Sequence, residues 1–158
     1  MKLSKEENKI NDDIVILTAT SGNTGKAALE GFKDIKGFKV IVYYPKSGVS
    51  DIQEKQMLTQ KGKNVKVIGI NGNFDDAQTG VKEIFLDLSL REKINNNGKR
   101  LSSANSINIG RLIPQIVYYF YGYFNLVKNK KISNGDKINI AVPTGNFGNV
   151  LAGYYSKK

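Results

Sequence analysis

The sequence predicts an α/β fold in which a mostly parallel sheet lies between layers of helices. Short apolar runs of strand length alternate with segments of helix length, and turns rich in glycine, asparagine and proline separate them. The chain has 158 residues, which is long enough to bury a sizeable core. Such alternation is typical of βαβ units, whose right-handed crossovers place helices on the faces of a parallel sheet. We therefore expect one three-layer α/β unit over residues 1–158.

The individual elements follow from the pattern in chain order. Apolar runs predict strands at 14–18, 38–44, 65–70, 100–103 and 138–142. The segments between them predict helices at 24–34, 50–61, 75–89, about 107–127, and from 146 onward. Ligands of parallel sheets bind beyond the carboxyl ends of the strands, so the loops that follow these strands are the candidates for a site.

The helix predicted at about 107–127 has unusual features. It carries the aromatic run Tyr118–Tyr121, and its faces are apolar nearly all round. Such a helix is either a central core helix, which we expect here, or a helix that presents one face to another domain or subunit. Pro114 lacks a backbone N–H, so the helix should either begin shortly before this residue or kink at it.

Composition excludes several classes of function. The chain has 24 Lys and Arg against 14 Asp and Glu, a net charge of +10, which attracts anions. The basic residues are mostly scattered lysines without a nucleic-acid-binding motif, so we expect no nucleic-acid partner. The absence of histidine and cysteine excludes Ser-His-Asp and Cys-His catalysis and the usual zinc sites. Chemistry would need a cofactor or a missing partner, and we predict no metal.

No part of the sequence indicates a membrane or a secretory route. No apolar run approaches the ~20 residues that cross a bilayer. The polar start of the chain has no apolar signal region, and there is no cysteine for an oxidising compartment. We therefore expect a cytoplasmic protein.

Two glycine-containing loops are the main candidates for binding. Residues 18–25 (TATSGNTG) and 143–149 (PTGNFGN) each lie between a predicted strand and a predicted helix. The free N–H groups at a helix N-terminus bind carboxylate or phosphate, so two such loops indicate a ligand with two anionic ends. Neither loop has the Walker A or the dinucleotide-binding spacing. The alternative for each is a tight turn in which glycine adopts a positive φ.

Two further groups of polar residues lie at the starts of predicted helices. Asn105 and Ser106 precede Arg111, whose guanidinium could complete a phosphate site, although either of the first two residues could simply be a helix N-cap. Asp75 and Asp76 resemble a carboxylate pair. They follow Gly72-Asn73 at a helix start, where acids interact favourably with the helix dipole, so we expect a structural role.

Four segments together resemble the threonine synthase family of fold-type-II (tryptophan synthase β-like) pyridoxal-phosphate enzymes. They are ILTATSGNTGKAALEGF, YYPKSGVSDIQEKQM, SSANSINIGRLIPQIVYYF and VPTGNFGN. They occur in the expected order, and the similarity extends from about Ile14 to Tyr155. The resemblance implies a fold-type-II α/β domain and a carbon-oxygen lyase acting on phosphates in threonine biosynthesis.

The resemblance also implies which residues bind. Residues matching Gly145, Asn146, Phe147, Gly148 and Asn149 hold the 5′-phosphate of pyridoxal 5′-phosphate, and Asn23 lies by the pyridine hydroxyl. Residues matching Ser21, Gly22 and Thr24 contact the amino-acid carboxylate, while Asn105, Ser106 and Arg111 grip the phosphate of O-phospho-L-homoserine. The implied reaction removes protons from the α and then the β carbon, eliminates phosphate from the γ carbon and adds water at the β carbon, giving L-threonine.

The chain departs from the family at the catalytic lysine. The family's Schiff-base lysine lies in a Phe-Lys-Asp segment upstream of the serine-glycine loop, and no such segment precedes Ser21 here. Phe32-Lys33-Asp34 lies downstream, at the far end of a helix, and Lys26 lies within a first helical turn; neither is expected to reach the cofactor. We therefore predict no catalytic residue in this chain. We interpret it as the smaller domain plus part of the large domain of a longer enzyme, inactive alone; the alternative is a non-catalytic α/β module that binds a phosphate ligand.

Overall fold

The computed structural model describes residues 2–105, 108–143 and 147–157 and forms two compact units, Met1–Asn105 and Ser106–Lys158. The first unit contains α1 (Lys2–Glu7), β1 (Asp13–Ala19), α2 (Asn23–Phe32), β2 (Phe38–Pro45), α3 (Asp51–Leu58), β3 (Val65–Ile70), α4 (Phe74–Leu86), α5 (Leu88–Asn96) and β4 (Lys99–Ser103). The second unit contains α6 (Ile109–Lys128) and α7 (Gly148–Ser156).

The four strands form one parallel sheet in the order β3-β2-β1-β4. Side chains of a strand alternate between the two faces, and β1 buries both of its faces. Ile16 joins an apolar cluster with α2 and α3, whereas Leu17 joins a second cluster with α4. Helices therefore cover both sides of the sheet, and the predicted three-layer α/β fold is confirmed in the first unit.

Side-chain caps fix where several helices begin. Ser50 and Gln53 form a reciprocal capping box at the start of α3, and Asn73 and Asp76 form a second one at the start of α4. Each box satisfies two backbone groups at the helix start that have no partner within the helix. The expected structural role is confirmed for Asp76, which forms the capping box, and Asp75 lies in the same first turn.

The prediction of a strand at 138–142 is wrong. These residues have no regular secondary structure, and within the described part of the chain none of them pairs with a strand. A run of β-branched residues becomes a strand only where a neighbouring backbone supplies hydrogen-bond partners. Helices α1 and α5 were not predicted, because their polar sequences have little apolar periodicity.

Helix α6 is not the central core helix that the sequence predicted. None of its residues is buried, and Tyr118 and Tyr121 are 67% and 72% exposed. The apolar surface of α6 is larger than the second unit can cover by itself. The helix begins at Ile109 and contains Pro114, so it starts only shortly before the proline. No described helix is both long enough and apolar enough to span a membrane.

Candidate functional site

The predicted loop at the end of β1 is organised by a residue that the sequence analysis did not single out. The hydroxyl of Thr20 donates to the backbone oxygen of Gly22 (2.9 Å) and accepts from the backbone N–H groups of Gly22 and Gly25 (both 3.1 Å). Thr20 is 2% exposed, and its own N–H donates to the carbonyl of Tyr43 in β2 (2.9 Å). The loop is therefore tied to the sheet before the helix begins.

Gly25 allows α2 to approach the sheet closely. A Cβ at this position would lie 2.5 Å from Thr20 Cγ2, 2.9 Å from Val42 Cγ1 and 3.0 Å from Met57 Sδ. These distances are too short for a methyl group, so only glycine fits without displacing the neighbours. This glycine is needed for packing rather than for a positive φ, in contrast to the turn alternative considered above.

The binding residues predicted in this loop lie where β1 passes into α2. Ser21 is exposed in the loop, Gly22 is the N-cap residue, and Asn23 and Thr24 begin the helix. The side-chain oxygen of Asn23 accepts a hydrogen bond from Nε2 of Gln53 (3.4 Å). Gln53 was not predicted as part of the site, although the S-x-x-Q pattern from Ser50 does indicate its capping role.

Asn105 has a position that its sequence context did not predict. Its Oδ1 accepts from the N–H of Ala19 (3.0 Å), and its Nδ2 donates to the carbonyl of Ala19 (2.7 Å). The buried side chain thereby pairs with the end of β1 as a further strand residue would. It is not the N-cap of α6, the alternative considered above. Among the described residues the second Nδ2 hydrogen of Asn105 has no acceptor, so the amide can also donate to a ligand at the carboxyl edge of the sheet.

The two lysines considered for the cofactor lie in α2 and at its C-terminal end. The ammonium of Lys26 lies 3.4 Å from Glu30 Oε2 and also hydrogen-bonds Oε1 of Gln60. Hydrogen bonding by Gln60 and then by Lys26 holds the pKa of Glu30 below its ordinary value. Lys33 is the C-cap of α2. The helix has 10 residues, so this position lies about 15 Å from its N-terminus along the axis.

The second predicted loop, in the other compact unit, is described only in part. Gly145 and Asn146 lie outside the described residues, whereas Phe147 is the N-cap residue of α7, and Gly148 and Asn149 open its first turn. The side chain of Asn149 turns to α6, where its Nδ2 donates to Oε1 of Gln115 (2.9 Å).

Arg111 lies in the first turn of α6. The N-cap of this helix is Asn108, whose side chain accepts from the N–H of Gly110 (2.9 Å) and whose carbonyl accepts from the N–H of Arg111 (2.8 Å). Ser106, the other candidate for the cap and for the phosphate site, lies outside the described residues.

Helix starts in the chain fall into two groups. The side chain of the N-cap residue bonds a backbone N–H in α3, α4, α5 and α6, whereas the N-cap residues of α2 and α7, Gly22 and Phe147, make no such bond and neither first turn contains an acid. In α2 the Thr20 hydroxyl takes up the N–H of Gly25, which leaves the N–H groups of Asn23 and Thr24 in the first turn without a partner among the described residues. The N–H groups that remain and the positive end of the helix dipole make such a start suitable for an anion. These two helix starts lie within the loops at 18–25 and 143–149, which the sequence predicted to bind anions.

Known proteins similar to this chain include threonine synthases. The protein of Buchnera aphidicola subsp. Acyrthosiphon pisum (strain APS) is 50% identical over 150 residues, which cover 95% of this chain and 33% of that protein. The crystal structure of threonine synthase from Escherichia coli matches 97% of this chain and 33% of that chain, with a TM-score of 0.77 and 37% identity. The PLP-bound threonine synthase from Brucella melitensis matches 99% of this chain and 31% of that chain, with a TM-score of 0.74 and 36% identity.

These matches cover a much larger share of this chain than of the relatives. They cover nearly all of this chain, but the chain spans about a third of the length of the curated relatives. No family model matches the chain. The similarity thus covers both glycine loops and the segment that contains Asn105 and Arg111.

Proposed function

We propose that this chain, which is homologous to threonine synthases over nearly its whole length, supplies the anion-binding part of a PLP-dependent threonine synthase. The complete enzyme would act as a cytoplasmic carbon-oxygen lyase on O-phospho-L-homoserine. One substrate molecule and one water would give one L-threonine and one phosphate. The two relatives with solved structures and the shared order of the four motifs support this proposal.

The observation that carries the proposal is that the N-cap residues of α2 and α7, Gly22 and Phe147, provide no side-chain cap, and that neither first turn contains an acid. Four other helices of the chain have side-chain caps, so the missing caps are not a general property of this sequence. An uncapped helix start leaves N–H groups that need an acceptor. The cofactor has a phosphate and the substrate has a carboxylate, and both are anions of the kind that bind at helix starts.

The donor set fits pyridoxal 5′-phosphate. The phosphate would lie at the start of α7 against residues 145–149, and the side chain of Asn23 would lie by the pyridine hydroxyl. Neither first turn contains an acid that would repel an anion, and the chain has a net charge of +10. When bound, the cofactor supplies an electron sink for negative charge on the substrate carbons.

The residues of this chain would bind and orient the substrate. Backbone and hydroxyl donors of Ser21, Gly22 and Thr24 would hold the carboxylate. The guanidinium of Arg111, with Ser106 and the free Nδ2 hydrogen of Asn105, would hold the substrate phosphate and stabilise it as it leaves. Binding both anionic ends would orient the substrate, which lowers the entropic part of the barrier.

Proton transfer at the reacting carbons would need a residue from outside this chain. Lys26 is engaged with Glu30 and Gln60, and Lys33 lies at the far end of α2. We therefore infer that the isolated chain forms no threonine. The two compact units are consistent with the smaller domain plus part of the large domain, and the exposed apolar face of α6 would be covered by other parts of the enzyme.

A chimaera tests the proposal. The third of the Escherichia coli enzyme that aligns with this chain is replaced by residues 13–157, and threonine formation from O-phospho-L-homoserine is measured. We expect activity from the chimaera, much weaker activity from its Arg111→Met variant, and none from the isolated chain supplied with cofactor. A folded chimaera that binds the cofactor but forms no threonine would contradict the proposed function. Threonine formed by the isolated chain would contradict its inactivity.

A further inference from the structure

A network of three side chains joins α6 to the first turn of α7. The hydroxyl of Tyr119 lies 2.8 Å from the backbone oxygen and 2.7 Å from the side-chain oxygen of Asn149, and its single proton is shared between them. The other end of the Asn149 amide donates to Gln115 Oε1 (2.9 Å). The amide of Gln115 in turn donates to the carbonyl of Arg111 (2.9 Å). All of these contacts lie within the second compact unit.

The packing between the two helices is fitted to this network. A Cβ at Gly153 would lie 2.8 Å from Tyr119 Cζ and 2.9 Å from its Cε1, so the ring rests directly on the backbone of α7. The close approach lets the hydroxyl reach Asn149, one turn earlier on the same face of the helix. Tyr119 therefore fixes the position of the first turn of α7 along α6.

The network also determines the hydrogen-bond partners of the Asn149 side chain. An asparagine in or before a first helical turn can accept a hydrogen bond from the N–H groups at the helix start. Here its oxygen lies against the Tyr119 hydroxyl and its NH₂ group against Gln115. Among the described residues neither Asn149 nor the N-cap residue Phe147 provides a side-chain cap for α7, so the N–H groups at its start keep their capacity for an external anion.

We propose that Tyr119 and Gln115 are positioning residues, which hold Asn149 away from the helix start and keep the first turn of α7 open for the cofactor phosphate. This inference rests on the proposed function. Gln115 also donates to the carbonyl of Arg111, the residue proposed to bind the substrate phosphate. It therefore connects the first turn of α6 to the first turn of α7.

The test is a titration with 4-deoxypyridoxine 5′-phosphate, which lacks the aldehyde and forms no imine with surface lysines. Tyr119→Phe keeps the ring and removes the hydroxyl. The matched control is Tyr123→Phe on the same helix, because the Tyr123 hydroxyl accepts from the N–H of Gly135 (2.7 Å) and forms no hydrogen bond to the described residues of α7. Affinity is measured by calorimetry at a temperature where circular dichroism shows every variant to be folded.

We expect Tyr119→Phe to bind about five- to tenfold more weakly than the parent chain, the loss of about one hydrogen bond, and Tyr123→Phe to bind as the parent does. The ³¹P resonance of the bound ligand should move in Tyr119→Phe and not in Tyr123→Phe, which a general loss of stability would not produce. Gln115→Glu keeps an acceptor for Asn149 and should bind better than Gln115→Leu. If Tyr119→Phe does not fold, the comparison of Gln115→Glu with Gln115→Leu tests the positioning role instead.

The outcomes separate the two proposals. If the parent chain binds and Tyr119→Phe, or both Gln115 variants, bind equally well with an unchanged ³¹P resonance, the positioning role is wrong and the proposed function stands. If the parent chain does not bind the ligand at all, the proposed cofactor site is overturned, and the positioning role with it.

Discussion

Replacing Gly25 by alanine tests the close packing of α2 on the sheet. The new methyl group would lie 2.5 Å from Thr20 Cγ2, 2.9 Å from Val42 Cγ1 and 3.0 Å from Met57 Sδ. All three neighbours are buried in the sheet-facing layer and cannot move far. Displacing Thr20 would also weaken the hydrogen bonds through which its hydroxyl organises the loop.

Two opposing contributions set the size of the effect. Alanine is favoured over glycine in a helix by about 1 kcal/mol. Overpacking a core costs about 1–3 kcal/mol, and each weakened hydrogen bond costs about 1 kcal/mol more. We expect a net loss of about 2 kcal/mol in the free energy of unfolding. For a chain of this size, that loss lowers the melting temperature by roughly 4–8 °C.

Gly31→Ala is the matched control on the same helix. Apart from its chain neighbours and the backbone of its own helix, no described atom lies within 4 Å of a Cβ built at Gly31, so only the gain in helix propensity remains. This variant should gain about 0.5–1 kcal/mol. Thermal and urea unfolding followed by circular dichroism measure both changes. If Gly25→Ala were as stable as Gly31→Ala, the close packing of α2 against Thr20 and Val42 would be refuted.

Three further changes test other parts of the structure. Asn105→Ala should cost about 2 kcal/mol or more in urea unfolding, because it leaves the buried N–H and carbonyl of Ala19 unpaired; an unchanged midpoint would contradict this pairing. Thr18→Val should raise the free energy of unfolding by about 1 kcal/mol, because the buried Thr18 hydroxyl has no hydrogen-bond partner among the described residues; a clear destabilisation would count against this assignment. The hydrogen bond from Tyr44 to Glu54, followed by burial, raises the pKa of Tyr44 above its ordinary value of 10.0. Its stabilising contribution should therefore be present below pH 10.0 and be lost as the pH rises through the raised pKa. The free energies of unfolding of the parent chain and of Tyr44→Phe, measured across alkaline pH, test this. The advantage of the parent chain should shrink as the pH rises, and an advantage that grows with pH would contradict the prediction.

The regular part of the fold could be predicted because its signals are local. Strands β1, β2 and β3 contain short apolar runs bounded by turns, and burial on both faces produces such runs in parallel sheets. The edge strand β4 has the more polar sequence KRLSS. The run at 138–142 is apolar like those of β1, β2 and β3 but has no strand beside it among the described residues. Whether such a run becomes a strand depends on a neighbour that its own sequence does not encode.

The candidate site could be predicted only at the level of its loops. The position of Ser21–Thr24 follows from the strand and helix on either side of it. The pairing of Asn105 with Ala19 joins residues that are 86 positions apart. The contact between Tyr119 and Asn149 spans 30 positions and carries no motif. Contacts of this kind arise from tertiary packing, so local patterns do not reveal them.

The most direct test of the cofactor site is a calorimetric titration of the chain with 4-deoxypyridoxine 5′-phosphate, compared with its Gly148→Val variant. Gly148 opens the first turn of α7, where a branched side chain would crowd the N–H groups. We predict saturable binding with one ligand per chain, which Gly148→Val abolishes and which inorganic phosphate displaces only at much higher concentration. No binding to the parent chain, or equal binding to Gly148→Val, would contradict a cofactor-phosphate site at the start of α7.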